Sequence, residues 1–289
     1  MIFKLRIGIQ AIFSIITNSY IAGFMNGTIY TGNLKSMCTP GLNCYSCPGA
    51  LGSCPIGALQ VFTGARGGAI PLYVVGFLTI LGALLGRFVC GFLCPFGLLQ
   101  DLIYKIPFIK KIGVLPGDRI VKYLPYIILG TFVVLIPMLV VDITGLGAPA
   151  FCKYICPSGT LGAGIPLAIT NEGIASAIGS LFWWKVSILA VIIILSVIAY
   201  RPFCRYLCPL GAIYGLFNPI AIMGFEVNEK TCTGCKICSQ TCKWNIDVNT
   251  KPNSRECIRC GECINACPEN AICVKGLKGK VVTPASKSI

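Results

Sequence analysis

Eight cysteines toward the C-terminal end fall in two runs of one spacing, Cys232-x2-Cys235-x2-Cys238-x3-Cys242 and Cys257-x2-Cys260-x2-Cys263-x3-Cys267-Pro268. Three thiolates in a tight loop can cap three corners of an iron–sulfur cubane, while a fourth on the next helical turn reaches a second cubane, so the doubled run constrains this segment to a two-cluster fold. By that rule Cys232, Cys235, Cys238 and Cys267 hold cluster I, and Cys257, Cys260, Cys263 and Cys242 hold cluster II. Zinc is the plain alternative for cysteine clusters, and the doubled spacing speaks against it. Lys243 stands where proline normally follows the fourth cysteine, which leaves the local turn open but not the ligation. Cys273, in the apolar run Ala-Ile-Cys-Val, reads as a buried strand residue.

Hydrophobic residues make up 55% of the chain and charged residues 12%, a balance foreign to soluble globular domains. The net charge of +14 would elsewhere suggest nucleic acid. Here the basic residues sit in short segments between apolar stretches, as membrane topology requires, so no nucleic-acid partner is expected. Four stretches, near 7–25, 69–87, 123–142 and 181–200, can cross a ~30 Å hydrocarbon layer, which takes about 20 helical residues. Gln10, Thr17, Asn18 and Ser19 interrupt the first, and Lys4 and Arg6 could flank a signal peptide; without a small-x-small cleavage site it is read as a helix. With the N-terminus in the cytoplasm, Lys4, Arg6, Arg87, Lys105, Lys110, Lys111, Arg119, Lys122, Arg201 and Arg205 lie inside, and only Lys35, Arg66, Lys153 and Lys185 lie outside. The expected architecture is a mainly α membrane protein. Residues 1–224 form four transmembrane helices, and residues 225–289 form a small α+β two-cluster ferredoxin domain on the cytoplasmic side of the cell membrane.

Each apolar stretch is followed by cysteines running into Cys-Pro-x-Gly: Cys47 to Cys54-Pro55-Ile56-Gly57, Cys90 to Cys94-Pro95-Phe96-Gly97, Cys152 to Cys156-Pro157-Ser158-Gly159, and Cys204 to Cys208-Pro209-Leu210-Gly211. The sites alternate outer and inner, as an inverted-topology duplication of a two-helix unit would leave them. Proline suits the first position of a new helix, whose free N–H groups would face an anionic cluster. The segments beyond are short, apolar and broken by Gly or Pro, so they read as half-helices that carry their sites inward.

Cys90, Cys94, Cys204 and Cys208 supply the four thiols of an inner cluster III. The outer face offers six. The repeat selects Cys47, Cys54, Cys152 and Cys156 for cluster IV, leaving Cys38 and Cys44 as alternative ligands, a disulfide or a thiol-exchange pair. The bland reading of these membrane thiols is apolar packing. The chain has no histidine, which excludes His-ligated haem, Rieske centres, Cys/His zinc sites and histidine acid–base catalysis. Trp183-Trp184-Lys185 reads as an interfacial anchor. Arg87, Arg201 and Arg205 read equally as topology signals or as charges tuning a cluster.

The motifs Cys90-Gly-Phe-Leu-Cys94-Pro-Phe-Gly97 and Cys204-Arg-Tyr-Leu-Cys208-Pro-Leu-Gly211, followed by the double ferredoxin run, resemble the NapH/NosR-type membrane ferredoxins over roughly residues 70–270. The resemblance implies electron transfer between membrane or cytoplasm and an acceptor outside. The extra outer cysteines depart from the simplest pattern of that family. They extend the expectation to a conductor linking a cytoplasmic donor, such as a ferredoxin or flavoprotein, to an extracytoplasmic redox protein. Its cofactors are two to four 4Fe–4S clusters, with quinone or flavin as a conceivable bridge, and no bond-making catalytic site is identified. The competing readings are a quinol-linked dehydrogenase subunit and a maturation or thiol-reducing factor for an extracytoplasmic metalloenzyme.

Overall fold

The computed structural model describes residues 5–64, 71–107, 111–141, 145–275 and 281–282. Lys4, Arg66 and Lys110, used above for topology, lie outside the described residues, as do positions 69–70 and 142 of two apolar stretches. The first helix, α1 (Arg6–Thr17), is only 12 residues long. Polar side chains end it, because Thr17 Oγ1 donates to the Phe13 carbonyl (2.9 Å) and Asn18 Nδ2 to the Ser14 carbonyl (3.0 Å), competing with the helical ladder. The chain then binds the outer loop through Tyr20 N–H to Gly49 O and Leu51 N–H to Thr17 O before a short helical turn over Ile21–Asn26.

The helices that follow come in pairs with the cysteine motifs between them: α2 (Pro55–Thr63), α3 (Leu72–Leu85), α4 (Phe88–Phe92), α5 (Pro95–Tyr104), α6 (Asp118–Leu139), α7 (Ala150–Tyr154) and α8, which starts as Pro157–Gly159 and continues to Thr170. Then come α9 (Ser180–Ile198), α10 (Pro202–Tyr206) and α11 (Pro209–Phe217). Helices α2, α5, α8 and α11 all start on the proline of Cys-Pro-x-Gly, with Cys54, Cys94, Cys156 and Cys208 as extended caps. A proline is free of penalty there, since the first N–H has no helical acceptor and the ring presets φ. Helices α6 and α8 widen into π turns over Leu129–Leu135 and Thr160–Gly164, just ahead of Pro137 and Pro166. A proline inside a helix removes a ladder bond and crowds the preceding turn, and a wider turn relieves both.

Among the described residues, two helices, α6 with 22 residues and α9 with 19, are long and apolar enough to cross a membrane. Only 22% and 17% of their most apolar windows is buried, so neither is the core helix of a soluble domain. Their outward faces carry Ile120, Ile127, Leu139, Val191 and Ile194, all exposed. The other two stretches fold as shorter apolar helices, α1 and α3, of 12 and 14 residues.

The C-terminal part pairs β1 (Gly224–Val227) antiparallel with β2 (Ile272–Lys275), which in turn pairs with β3 (Val281–Val282). Two short helices, α12 (Ile237–Thr241) and α13 (Glu262–Ala266), follow the two cysteine loops. Positive φ marks Gly234, Lys236 and Asn245 in the first half and Arg259, Gly261 and Asn270 in the second, each pair offset by 25 residues. The two loops therefore share one backbone path, with left-handed residues on both sides of Cys235 and Cys260, a conformation that aims N–H groups inward at an anion. Cys242 (φ −70°, ψ 109°) matches Cys267 (φ −72°, ψ 115°). The turn at Lys243 is thus the same as the one at Pro268. Cys273 is buried in β2 opposite Glu226.

Candidate metal centres

The thiols of cluster I line one small cavity: Cys232, Cys235, Cys238 and Cys267, floored by Val227 and Ile272. The cluster II set is equally close, for the Cys263 thiol lies within electrostatic reach of Cys257, Cys260 and Cys242. Burial pushes the Cys257 thiol up to about 12, with neighbouring Cys260 adding to the rise. A metal binding there must displace the proton, which makes loading pH-dependent.

This second set is bolted to the membrane part. Asn218 Nδ2 donates to the carbonyls of Ser254 (2.7 Å) and Cys257 (2.8 Å), and Arg259 donates to Leu85 O (2.8 Å) and Asn218 O (2.7 Å). Trp244, 3% exposed, plugs the seam. Its indole donates to Tyr200 O (3.0 Å), and the guanidinium carbons of Arg87 and Arg205 lie 5.1 and 5.3 Å from its ring. Lys243, the residue in place of proline, pairs with Glu262 (2.7 Å) and lies 4.9 Å from the Tyr200 ring.

Around Cys90, Cys94, Cys204 and Cys208, all buried and within electrostatic reach of one another, two arginines exchange places. Arg201 donates to Cys90 O (2.6 Å), and Arg87 donates to Cys204 O (2.9 Å). Each stands three residues before a motif cysteine and reaches across to the other motif. Here the glycine of Cys-Pro-x-Gly explains itself. A Cβ on Gly97 would lie 2.9 Å from Arg201 Nη1, and one on Gly211 would lie 2.9 Å from Arg87 Nη2. Arg201 also grips Asp101 with two bonds (2.7 and 2.6 Å), and Arg6 adds a third (2.7 Å). Arg87, Arg201 and Arg205 are buried, so they do not snorkel to the membrane surface as topology signals would. From α1, Gln10 Nε2 donates to Cys94 O at 2.6 Å.

The outer thiols differ from expectation in one member. Cys44, Cys54, Cys152 and Cys156 line a cavity of about 400 Å³ together with Lys153 and Lys185, whereas Cys47 points elsewhere, toward Asn18 Oδ1 (3.9 Å) and Gly162. The tight turn closed by Cys47 N–H to Cys44 O (3.1 Å) sends the two thiols to different sides. Cys38 lines a separate cavity with Phe62 and Tyr73, and all nineteen cysteines are unpaired. Lys185 faces the outer thiols rather than serving only as an anchor, while Trp183 and Trp184 are exposed.

The four sets adjoin. A Cβ on Gly91, within the Cys90–Cys94 loop, would lie 2.5 Å from the Ile258 carbonyl of the cluster II loop. A Cβ on Gly41, between Cys38 and Cys44, would lie 2.8 Å from Cys94 Cα. Tyr214, fully buried, donates to Pro40 O (3.1 Å) and feels Cys90, Cys94, Cys54 and Cys38 at once. The loop between Cys38 and Cys44 thus packs against Cys94, and Tyr214 lies near thiols of both sets.

Among the described residues no three Cys, Asp or Glu side chains converge on a point as the ligands of a single ion would. The cluster I thiols and the set of Cys44, Cys54, Cys152 and Cys156 instead each line a cavity. Asn43 Nδ2, Arg87 Nε and Arg259 Nε are buried without an acceptor among the described residues, and they lie beside Cys54, Cys90 and Cys257, where cluster sulfides would accept. The donor sets therefore fit iron–sulfur clusters.

Comparison with known proteins agrees. One family profile, described as a 4Fe-4S binding domain, matches residues 67–114, 129–165 and 181–222, three successive helix-and-motif units. A second, also a 4Fe-4S binding domain, matches residues 251–273. The chain is 33% identical over 226 residues to the uncharacterized protein MJ0750 of Methanocaldococcus jannaschii, covering 76% of this chain and 84% of that one. It is 25% identical over 207 residues to the ferredoxin-type protein NapH of Haemophilus influenzae (68% of this chain, 63% of the relative). It is also 25% identical over 176 residues to the regulatory protein NosR of Stutzerimonas stutzeri (60% and 22%). The chain belongs to the NapH/NosR-type 4Fe-4S ferredoxin family. Its role is iron–sulfur electron transfer, with 4Fe–4S clusters as cofactors. No solved structure matches this NapH/NosR-type chain.

Two functional residues escape a reading of the motifs alone. Gln60 and Gln100, both fully buried, donate to Cys152 Sγ (3.2 Å) and Cys204 Sγ (3.1 Å). Alignment of the repeats would have exposed them, since each stands six residues after the cysteine of its Cys-Pro pair.

Proposed function

We propose that this chain conducts single electrons across the cell membrane, from a low-potential donor in the cytoplasm to a redox protein outside. Cys232, Cys235, Cys238 and Cys267 would hold cluster I, and Cys242, Cys257, Cys260 and Cys263 cluster II. Cys90, Cys94, Cys204 and Cys208 would hold the inner membrane cluster, and Cys44, Cys54, Cys152 and Cys156 the outer one. Reversible one-electron transfer at a protein-tuned potential is what such clusters supply when bound. The observation that carries the reading is the unbroken contact from the cluster II loop at Ile258, through Gly91 and Cys94, to Gly41 and the outer loop.

Several residues give the path its ends. Cys235 and Ile237 are exposed at the first cysteine loop of the ferredoxin domain, where a donor can dock. Lys153 and Lys185 line the outer cavity, which favours an acceptor with an acidic face. Lys105, Lys111, Arg119 and Lys122 cluster in the segments near the ferredoxin domain, which supports a cytoplasmic location for it. The exposed apolar faces of α6 and α9 suit lipid, with Trp183 and Trp184 at its boundary. Cys38 and Cys44 line different cavities, and the thiol of Cys47 faces Asn18 and Gly162 rather than the Cys44 cavity, which favours the electron-conducting reading over thiol exchange. Iron and acid-labile sulfide analysis of anaerobically purified protein, with EPR, tests the assignment. The expected content is about 16 iron atoms per chain, four for each of four cubanes. About eight would confine the clusters to the C-terminal domain and overturn the reading.

A further inference from the structure

Gln60 and Gln100 make the same bonds at the two thiol sets of the helical part. Gln100 Oε1 accepts the Phe203 N–H (3.2 Å), while its Nε2 donates to Phe96 O (3.4 Å) and Cys204 Sγ (3.1 Å). Gln60 Oε1 accepts the Phe151 N–H (2.8 Å), and its Nε2 donates to Ile56 O (3.0 Å) and Cys152 Sγ (3.2 Å). The backbone partners fix the orientation of both amides. A flip would set Nε2 against an N–H and Oε1 against a carbonyl, losing all three bonds, so the hydrogen facing sulfur is determined.

Both side chains are fully buried, at 0% and 1% exposure. Burying a primary amide costs free energy unless its groups are bonded, and an apolar residue on α2 or α5 would avoid that cost. Each glutamine also bridges two units of the repeat. It sits on the half-helix after one Cys-Pro and reaches the first cysteine of the partner motif. A helix–helix clamp alone would need only the backbone bond; the second donor is spent on sulfur at both sites.

We propose that Gln60 and Gln100 are potential-setting residues, each donating an N–H···S hydrogen bond that raises the midpoint potential of the outer or inner membrane cluster. This rests on the reading that these thiols bind clusters. A donor to a ligating sulfur stabilises the reduced state, which carries more negative charge, more than the oxidised one. Matched bonds at the two sites shift both clusters in the same direction.

Redox titration of the full-length, anaerobically purified protein, followed by EPR, tests the assignment. Gln100→Leu should move the inner membrane cluster to a more negative midpoint and leave the other three in place, and Gln60→Leu should do so for the outer one. Unsubstituted protein carrying 15N in its glutamine side chains gives an arm independent of folding, in which pulsed EPR of the reduced membrane clusters should detect a coupled nitrogen. Unmoved midpoints in variants that retain about 16 iron atoms, or no coupled nitrogen in the unsubstituted protein, would overturn the inference. An unsubstituted protein with only about eight iron atoms would instead fail the cluster assignment itself.

Discussion

Cys44 and Cys47 are three residues apart, yet only Cys44 faces the outer cavity. Cys44→Ser is therefore expected to lose about four iron atoms, one cubane, while Cys47→Ser keeps the full complement; iron content with EPR distinguishes them. A variant pair with the opposite result would restore Cys47 as the ligand. The motif spacing identifies which cysteines can ligate, but the direction of each thiol in a Cys-x2-Cys turn depends on how the turn packs. Here Asn18 and Gly162 take one side and Cys152 and Cys156 the other. The arginines are similar. In the sequence Arg87 and Arg201 are positive charges at the ends of apolar stretches, and snorkelling describes them well enough. Only burial, and the space left by Gly97 and Gly211, reveals that they bind cysteine carbonyls.

At the scale of elements, Trp244 joins Asn218 and Arg259 in fastening the ferredoxin domain. Trp244 fills the seam between the guanidinium groups of Arg87 and Arg205. Trp244→Ala is expected to cost about 3–5 kcal/mol, the usual loss for truncating a buried aromatic. The loss should appear as faster proteolysis at the junction near Gly224, with iron at clusters I and II retained. Loss of that iron with no change in proteolysis would contradict a docking role. Much of this architecture was legible beforehand: the short helices from the proline after each cysteine, the C-terminal iron–sulfur domain from its cysteine spacing, and α6 and α9 from length and apolarity. The extent of α1 was not, because Thr17 and Asn18 act through their own backbone bonds, and an apolar tally does not weigh those. Gln10, which looked like an interruption, is the residue that binds Cys94 O.

Across the whole molecule, the distance an electron must cover is set by the loops rather than by the long helices. Gly41 and Tyr214 bring the segment between Cys38 and Cys44 down to Cys94, and the proposed path runs through this contact. The most direct test uses the full-length protein in sealed vesicles holding ferricyanide, with dithionite added outside. Trapped ferricyanide is expected to be reduced at a rate well above that of protein-free vesicles, with loss of the excess in Cys44→Ser vesicles. A chain that binds about 16 iron atoms yet reduces trapped ferricyanide no faster than empty vesicles would contradict it.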